Sequence, residues 1–159
     1  MKDATVSGAR HRMTSSTTFP DALDLNASLD VSVLIPAKDE SGNIGSLVSE
    51  IVAALQPVCR YEIVLVDDGS SDGTGEVFLS RCRELAANAQ LLRHERSCGQ
   101  STALSTAARH ARARYLVTID GDGQNDPADI PALLTEAQKM AAQGPDFCIA
   151  GFRKNRRDT

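Results

Sequence analysis

The sequence predicts an α/β fold in which a mostly parallel, Rossmann-like sheet is flanked by helices. Between residues 31 and 152, short apolar, β-branched runs alternate with longer stretches whose apolar residues recur every three to four positions. This alternation is typical of strands that alternate with helices, joined by right-handed crossovers. Polar and acidic clusters follow several of the apolar runs, at the sheet edge where open parallel sheets bind ligands.

We predict the elements in chain order from these patterns. The first strand covers 31–35 and is stopped by Pro36. The helix after it carries apolar residues from Ile44 to Leu55 on one face, with Ser41 as its predicted N-cap. The later strands are predicted at 61–66, 90–93, 115–119 and 146–150, with a helix after each of the first three.

The two ends of the chain lie outside this pattern. Residues 1–29 mix charge with Ser and Thr and contain no apolar run, so we expect a flexible leader and place the domain at 30–159. The last residues, GFRKNRRDT, show neither a helix stop nor a closing strand. We therefore expect the domain to be truncated at its C-terminus and to be the N-terminal part of a longer one.

Composition excludes several classes of protein. The 159 residues are 42% hydrophobic, which supplies a core and excludes a disordered, collagen-like or coiled-coil chain. With 17 Lys and Arg against 21 Asp and Glu, the net charge of −4 provides no positive field for nucleic acid. The four cysteines are widely spaced, which predicts neither a zinc site nor a disulfide scaffold. No run approaches the ~20 apolar residues of a membrane-spanning helix.

Asp120, Asp122 and Gln124 place three oxygen-bearing side chains on alternate positions after the fourth predicted strand. Oxygen ligands suit Mg²⁺ or Mn²⁺, and Mg²⁺ usually binds one or two carboxylates together with substrate phosphates. Two carboxylates beside a diphosphate would repel it unless a divalent ion lay between them. The pattern favours a site for a metal and a nucleotide diphosphate, with a solvated Asp/Gly turn as the alternative.

Two other polar loops, 36–40 and 67–70, follow the first and second predicted strands. Because the carboxyl ends of parallel strands meet at one edge of a sheet, we expect these loops to converge on the aspartates. The sequence has no dinucleotide, P-loop or hydrolase-elbow motif. Asp72 is predicted to form a turn and cap, and His94 and His110 are isolated and expected at the surface.

Five ordered segments carry a resemblance to a known family: VSVLIPAKDE, YEIVLVDDGSSDGT, RHERSCGQSTAL, YLVTIDGDGQNDP and GFRKNRRDT. Together they resemble the N-terminal catalytic domain of family 2 glycosyltransferases, which have the GT-A fold. More narrowly, they resemble the polyprenyl-phosphate branch, which includes dolichyl-phosphate mannose synthases and bacterial undecaprenyl-phosphate sugar transferases. The resemblance covers about residues 30 to 159.

The resemblance implies which residues bind the nucleotide sugar. Those at matching positions are Pro36, Ala37, Glu40, Asp67, Asp68, Gly69 and Asp120. Within this set, Asp67 matches the acid that touches the base, and Gly69 allows the backbone to approach closely. Lys38 stands where many relatives have an aromatic residue.

The resemblance also implies the catalytic and metal-binding residues. Asp120 and Asp122 match the D-x-D pair of the family, and Gln124 matches a third side chain on the Mg²⁺ or Mn²⁺ ion. Arg153 matches an arginine of the polyprenyl branch that meets the acceptor phosphate. An arginine fork is chemically suited to a phosphate.

The implied activity is inverting, metal-dependent transfer of a sugar from a UDP- or GDP-linked donor to a polyprenyl phosphate. A phosphate dianion is already a nucleophile, so such an acceptor requires little help from a general base. The implied place of the full-length protein is the cytoplasmic face of the membrane, with membrane contact through a C-terminal part that the chain lacks.

Two other functions stay open at this point. One is a truncated module that binds nucleotide and metal without turnover, and the other is a soluble family 2 enzyme with a hydroxyl acceptor. The sequence leaves open the sugar, the base, the acceptor and the oligomeric state, including a homo-oligomer.

Overall fold

The structure is a computed structural model, and it describes residues 13–19, 28–144 and 147–151. Within these residues, five strands form one sheet in the order β1-β4-β3-β2-β5. The strands are β1 Met13–Phe19, β2 Val31–Ala37, β3 Tyr61–Asp67, β4 Ala89–His94 and β5 Tyr115–Thr118. The helices are α1 Ile44–Leu55, α2 Thr74–Glu84, α3 Gln100–His110 and α4 Ile130–Ala141, the last preceded by a 3₁₀ turn at Pro127–Asp129.

The two central strands, β2 and β3, set the frame of the sheet. Every residue of both is buried, as expected for parallel strands that are covered on both faces. They pair in register from Val31 opposite Tyr61 to Ala37 opposite Asp67. Their carboxyl ends therefore stop side by side, and the loops that follow start from one edge.

Helices cover the two faces of the sheet with different side chains. On one face, α1, α2 and α4 pack large apolar side chains such as Ile51 and Phe78 against Ile35 and Leu65. On the other face, α3 packs small side chains on β2, β3 and β4, among them Ala103 and Ala107, which are both fully buried. None of the described helices combines the length and apolarity that a bilayer span requires.

The prediction of a mostly parallel α/β sheet flanked by helices is confirmed, with local differences. Residues 1–29 were expected to form a leader, but Met13–Phe19 pairs with β4 as an antiparallel edge strand. A strand was predicted at 146–150, yet residues 147–151 form neither strand nor helix. Helix α1 starts after Asn43 without a side-chain cap, so Ser41 is not its N-cap.

Candidate functional site

A cavity of about 350 Å³ lies at the carboxyl edge of the sheet. It is bounded by the loops that follow β2, β3 and β5 and by the start of α3. Six of the residues singled out from the sequence line it: Pro36, Ala37, Glu40, Asp68, Asp120 and Asp122. The predicted convergence of three separate loops is therefore present in the fold.

Gly121 explains how the Asp-Gly-Asp turn reaches this position. Its backbone lies against the end of β2, where an added Cβ would stand 3.2 Å from the Cβ of Ala37 and 3.4 Å from the carbonyl oxygen of Pro36. A side chain at this position would push the turn away from β2. The glycine thus keeps the carboxylates of Asp120 and Asp122 beside the loop that follows β2.

The two carboxylates are oriented by different donors. Gln100 Nε2 donates to Asp120 Oδ1 at 2.7 Å, and the backbone N–H of Gln124 donates to Asp122 Oδ1 at 3.0 Å. Two carboxylates on the wall of one solvent-accessible cavity form the hard, oxygen-only donor set that Mg²⁺ and Mn²⁺ prefer. These residues therefore fit a divalent ion.

Gln124 itself faces a different space. The residue lines a larger cavity of about 1570 Å³ between β5, α4 and residues 147–151. The structure thus brings together the two aspartates of the predicted metal site and leaves the third predicted ligand, Gln124, outside the smaller cavity. Asp120 borders both cavities.

The neighbouring acids Asp67 and Asp68 face different surroundings. Asp67 accepts a hydrogen bond from the backbone N–H of Ser70 at 2.8 Å, lies 3.7 Å from Arg93 Nε, and does not line the smaller cavity. Asp68 does line it. Of the two acids matched to the nucleotide, Asp68 is the one that the fold presents to the cavity.

The backbone of Gly69 lies close to the backbone of Arg96 and Ser97. Its φ of 75° is left-handed, and an added Cβ would lie 2.8 Å from the carbonyl carbon of Arg96 and from the nitrogen of Ser97. Glycine is the residue that tolerates both conditions. The loop after β3 is therefore packed tightly on the loop that leads into α3.

The carboxylate of Asp68, only 4% exposed, is saturated with hydrogen-bond donors. It accepts from Ser97 Oγ and from the backbone N–H groups of Cys98 and Gly99, each at 2.9 Å. His94 Nδ1 lies 2.6 Å from its Oδ1. Burial alone would raise the pKa of Asp68, but these hydrogen bonds outweigh it and the pKa is lowered. Asp68 is therefore held as a carboxylate.

His94 is not at the surface as expected. It is 3% exposed, and its Nε2 lies 3.1 Å from Thr106 Oγ1 on α3. On β4, it occupies the same face as Leu92, which packs against α3. The strand period could have indicated this burial, because residues two apart on a strand share a face.

Loops 38–41 and 70–74 are tied together by hydrogen bonds in both directions. The backbone N–H of Asp39 donates to Ser70 Oγ at 2.9 Å, while Ser71 N–H donates to Asp39 Oδ1 at 2.8 Å. The other links run from Glu40 N–H to Thr74 Oγ1 at 2.8 Å and from Ser41 N–H to Asp72 Oδ2 at 2.9 Å. This mutual bonding holds Glu40 at the cavity.

Asp72 carries one end of this link. Its Oδ1 accepts from the hydroxyl and the backbone N–H of Thr74. Hydrogen bonds from Thr74, and next from the backbone of Ser41, lower the pKa of Asp72. Its predicted role as a turn former is consistent with these contacts. The remaining predicted catalytic residue, Arg153, lies outside the described residues.

Comparison with known proteins assigns the chain to a family. The family model described as "Glycosyl transferase family 2" matches residues 32–159. A dodecaprenyl-phosphate galacturonate synthase from Rhizobium johnstonii is 35% identical over 136 residues, which cover 82% of this chain and 38% of that protein. An undecaprenyl-phosphate 4-deoxy-4-formamido-L-arabinose transferase from Edwardsiella ictaluri is 33% identical over 130 residues, with 81% and 38% covered.

A solved structure supports the fold. The mannosyltransferase from Pyrobaculum calidifontis, in complex with GDP-Man and Mn²⁺, aligns with a TM-score of 0.62 and 26% identity. The alignment covers 73% of this chain and 33% of that protein. The predicted GT-A fold is thereby confirmed for the part of the chain that aligns. The chain spans 38% of the length of the two curated relatives described above.

Proposed function

Because this chain belongs to glycosyl transferase family 2, we propose that it is the donor-binding part of an enzyme that transfers a sugar from a nucleotide diphosphate to a polyprenyl phosphate. One observation carries the proposal. Asp120 and Asp122 share a cavity with Pro36, Glu40 and Asp68, although these residues come from the ends of three separate strands and the loops that follow them. The cavity offers carboxylates for a cation, and its position at the carboxyl edge suits a nucleotide.

Asp120 and Asp122 are the residues that would hold the metal ion. A bound Mg²⁺ or Mn²⁺ would neutralise charge on the nucleotide diphosphate as it leaves. The Pyrobaculum mannosyltransferase, in complex with GDP-Man and Mn²⁺, supports a nucleotide sugar and a divalent ion in this fold. The aspartates themselves would orient the donor, and residues 36–40 would contact its nucleoside, while Asp68 shapes the cavity wall through its bonds to residues 97–99.

The proposed reaction is a single displacement with inversion. An oxygen of the acceptor phosphate forms a bond to the anomeric carbon, while the bond from that carbon to the donor diphosphate breaks. The electron pair of the broken bond leaves with the nucleotide diphosphate. Since the attacking group is an anion, the protein's contribution is mainly positioning, with Arg153 proposed to pair with the acceptor phosphate.

The names of the curated relatives support the acceptor class. Both are transferases or synthases of a sugar on dodecaprenyl or undecaprenyl phosphate. A polyprenyl acceptor resides in a membrane, so we propose that the full-length protein works at the cytoplasmic membrane face. Membrane contact is proposed for the part of the full-length protein that follows the donor site.

Donor binding is testable by calorimetric titration of the chain with UDP- and GDP-sugars in the presence of Mn²⁺. We expect one of the two nucleotide classes to bind, and Asp122→Ala to abolish the Mn²⁺-dependent part of the binding. Glu50→Ala removes an exposed carboxylate on α1 and serves as the matched control. Absence of binding by every nucleotide sugar, with Asp122→Ala indistinguishable from the parent chain, would overturn the proposal.

A second function is a module that binds nucleotide and metal without turnover. The observation behind it is the same cavity, because its lining residues would suffice to bind a nucleotide and a metal ion. A product assay with a polyprenyl phosphate separates the two. Transfer of labelled sugar to the lipid supports the enzyme, whereas nucleotide binding without any product supports the module.

A further inference from the structure

Gln100, which was not among the predicted site residues, contacts the proposed metal site. It is the first residue of α3, and its side-chain amide donates to Asp120 Oδ1 at 2.7 Å. A carboxylate only accepts hydrogen bonds, so the amide nitrogen is the atom that faces Asp120. This bond takes one acceptor site of Oδ1 and restricts the orientation of the carboxylate, whose other lone pairs can bind a cation.

The position of Gln100 is determined by the turn immediately before it. Residues 97–99 present three donor groups to the buried carboxylate of Asp68, one of which, the backbone N–H of Cys98, bonds to both oxygens. Gly99, with a left-handed φ of 90°, then directs the chain into α3. The first residue of the helix is thereby attached to the end of β3 rather than left on an unsupported loop.

His94 also contacts this arrangement, through both of its ring nitrogens. Its two ring nitrogens face Asp68 Oδ1 at 2.6 Å and Thr106 Oγ1 at 3.1 Å. Thr106 belongs to α3. The imidazole therefore contacts Asp68, which accepts the hydrogen bonds of the 97–99 turn, and also the helix that carries Gln100. A buried group with a hydrogen bond on each nitrogen has a fixed ring orientation.

The same residues could be viewed as a metal cluster, because ligand atoms of Asp68, His94 and Cys98 lie within 4.8 Å of one another. Hydrogen bonds argue against that view. The oxygens of Asp68 already accept from four groups, and both nitrogens of His94 are engaged. A cation would have to displace these buried bonds. The contacts favour a positioning role.

We propose that Gln100 is a positioning residue for the metal-binding carboxylate of Asp120, and that the Asp68–His94 pair holds Gln100 in place through the 97–99 turn. This inference rests on the proposed function, since it assumes a divalent ion at Asp120 and Asp122. Hydrogen-bonded neighbours of metal ligands fix ligand orientation, and their loss typically lowers metal affinity about 10-fold or more.

The test measures Mn²⁺ affinity of the chain without nucleotide, from the electron paramagnetic resonance signal of free Mn²⁺. Gln100→Met keeps the length of the side chain and removes the donor, and we expect about a 10-fold loss of affinity. Gln138→Met makes the same change at an exposed position of α4 and should leave the affinity unchanged. Thermal unfolding of each variant separates a positioning effect from a loss of folding.

Thr106→Val tests the contribution of the His94 pair. It removes one partner of His94 and is expected to lower Mn²⁺ affinity less than Gln100→Met does. If the pair acts through Gln100, the double variant will lose no more affinity than Gln100→Met alone. Additive losses would overturn this part of the inference.

The outcomes distinguish the inference from the proposed function. If the parent chain and Gln100→Met bind Mn²⁺ equally well, the positioning role is overturned and the proposed function stands. If the parent chain binds no Mn²⁺ under any condition tested, both are overturned.

Discussion

Arg112 donates to the buried carboxylate of Glu62 from its backbone N–H and from its guanidinium Nε, at 2.7 Å each. Glu62 is fully buried near the start of β3, at the opposite end of the sheet from the cavity. Ser32 Oγ on β2 donates to the same carboxylate at 2.6 Å. These hydrogen bonds hold the segment between α3 and β5 against the sheet. Strand β5 follows this segment, and the chain then reaches Asp120.

Replacement of Arg112 by methionine is expected to destabilise the fold. The substitution keeps the apolar stem and leaves Glu62 with one fewer charged partner in a fully buried position. Because the Arg112 side chain is 51% exposed, solvent screens its half of the pair, and we expect a loss of about 2 kcal/mol, which urea unfolding measures. Lys139→Met is the control, because it removes an exposed ion pair to Glu136 whose contribution is below about 1 kcal/mol. Equal stabilities of the two variants would contradict the prediction.

Gly69→Ala is expected to disturb the cavity through backbone strain. The new Cβ would meet the backbone of Arg96 and Ser97 at 2.8 Å, at a left-handed φ. Strain of this kind costs about 1–3 kcal/mol, so we expect a lower unfolding temperature and weaker nucleotide binding. Gly144→Ala is the matched control, since an added Cβ there meets nothing within 4 Å. The prediction is wrong if both variants unfold at the same temperature as the parent chain.

The lowered pKa of Asp68 predicts how the stability of the fold depends on pH. Its pKa is lowered in the folded chain, so its ionised form stabilises the fold above the ordinary aspartate pKa of about 4. That stabilisation is lost as the pH falls through the lowered folded pKa. The difference in unfolding free energy between the parent chain and Asp68→Asn should therefore be larger at neutral pH than in acid. Urea titrations across this pH range measure the difference, and Glu50→Gln controls for removal of a carboxylate. A difference that does not change with pH would contradict the prediction.

Asp120→Asn is expected to change nucleotide affinity in opposite directions with and without metal. In the presence of Mn²⁺, loss of a ligand charge should weaken binding of the nucleotide diphosphate by about 10-fold or more. With the metal chelated, loss of the same negative charge should strengthen it, because one repulsion is removed. Calorimetric titration in Mn²⁺ and in chelator measures both effects, with Glu136→Gln as the control. The same sign of change in both conditions would argue against a shared metal and diphosphate site.

The central part of the fold was predictable from the sequence because burial there leaves a clear pattern. Strands β2 and β3 are covered on both faces and are continuous apolar runs. Helix α1 buries the apolar positions that the 3.6-residue period selects. For these elements, local pattern and tertiary packing agree.

The edges of the sheet were less predictable. Strand β1 has the sequence MTSSTTF, which is too polar to stand out, and its pairing with β4 joins residues far apart in the chain. A strand was expected at 146–150 because apolar residues recur there. An apolar run indicates burial without specifying which neighbouring strand will pair with it.

The site was predictable as a set of loops but not residue by residue. Asp67 and Asp68 are adjacent, and only their orientation at the end of β3 determines that Asp68 lines the cavity. Gln124 matches the D-x-D spacing, yet it lines the other cavity. The roles of His94 and Gln100 depend on contacts across 26 and 20 positions of the chain, which no local motif records.

The reciprocal bonds between loops 38–41 and 70–74 have a consequence for engineering the proposed donor site. Asp39 bonds to Ser70 and Ser71, and Ser41 bonds to Asp72, so neither loop keeps its shape when the other is exchanged. A chimera that receives only one of the two loops from a relative would lose hydrogen bonds between them. Both segments therefore have to be exchanged together, as one unit.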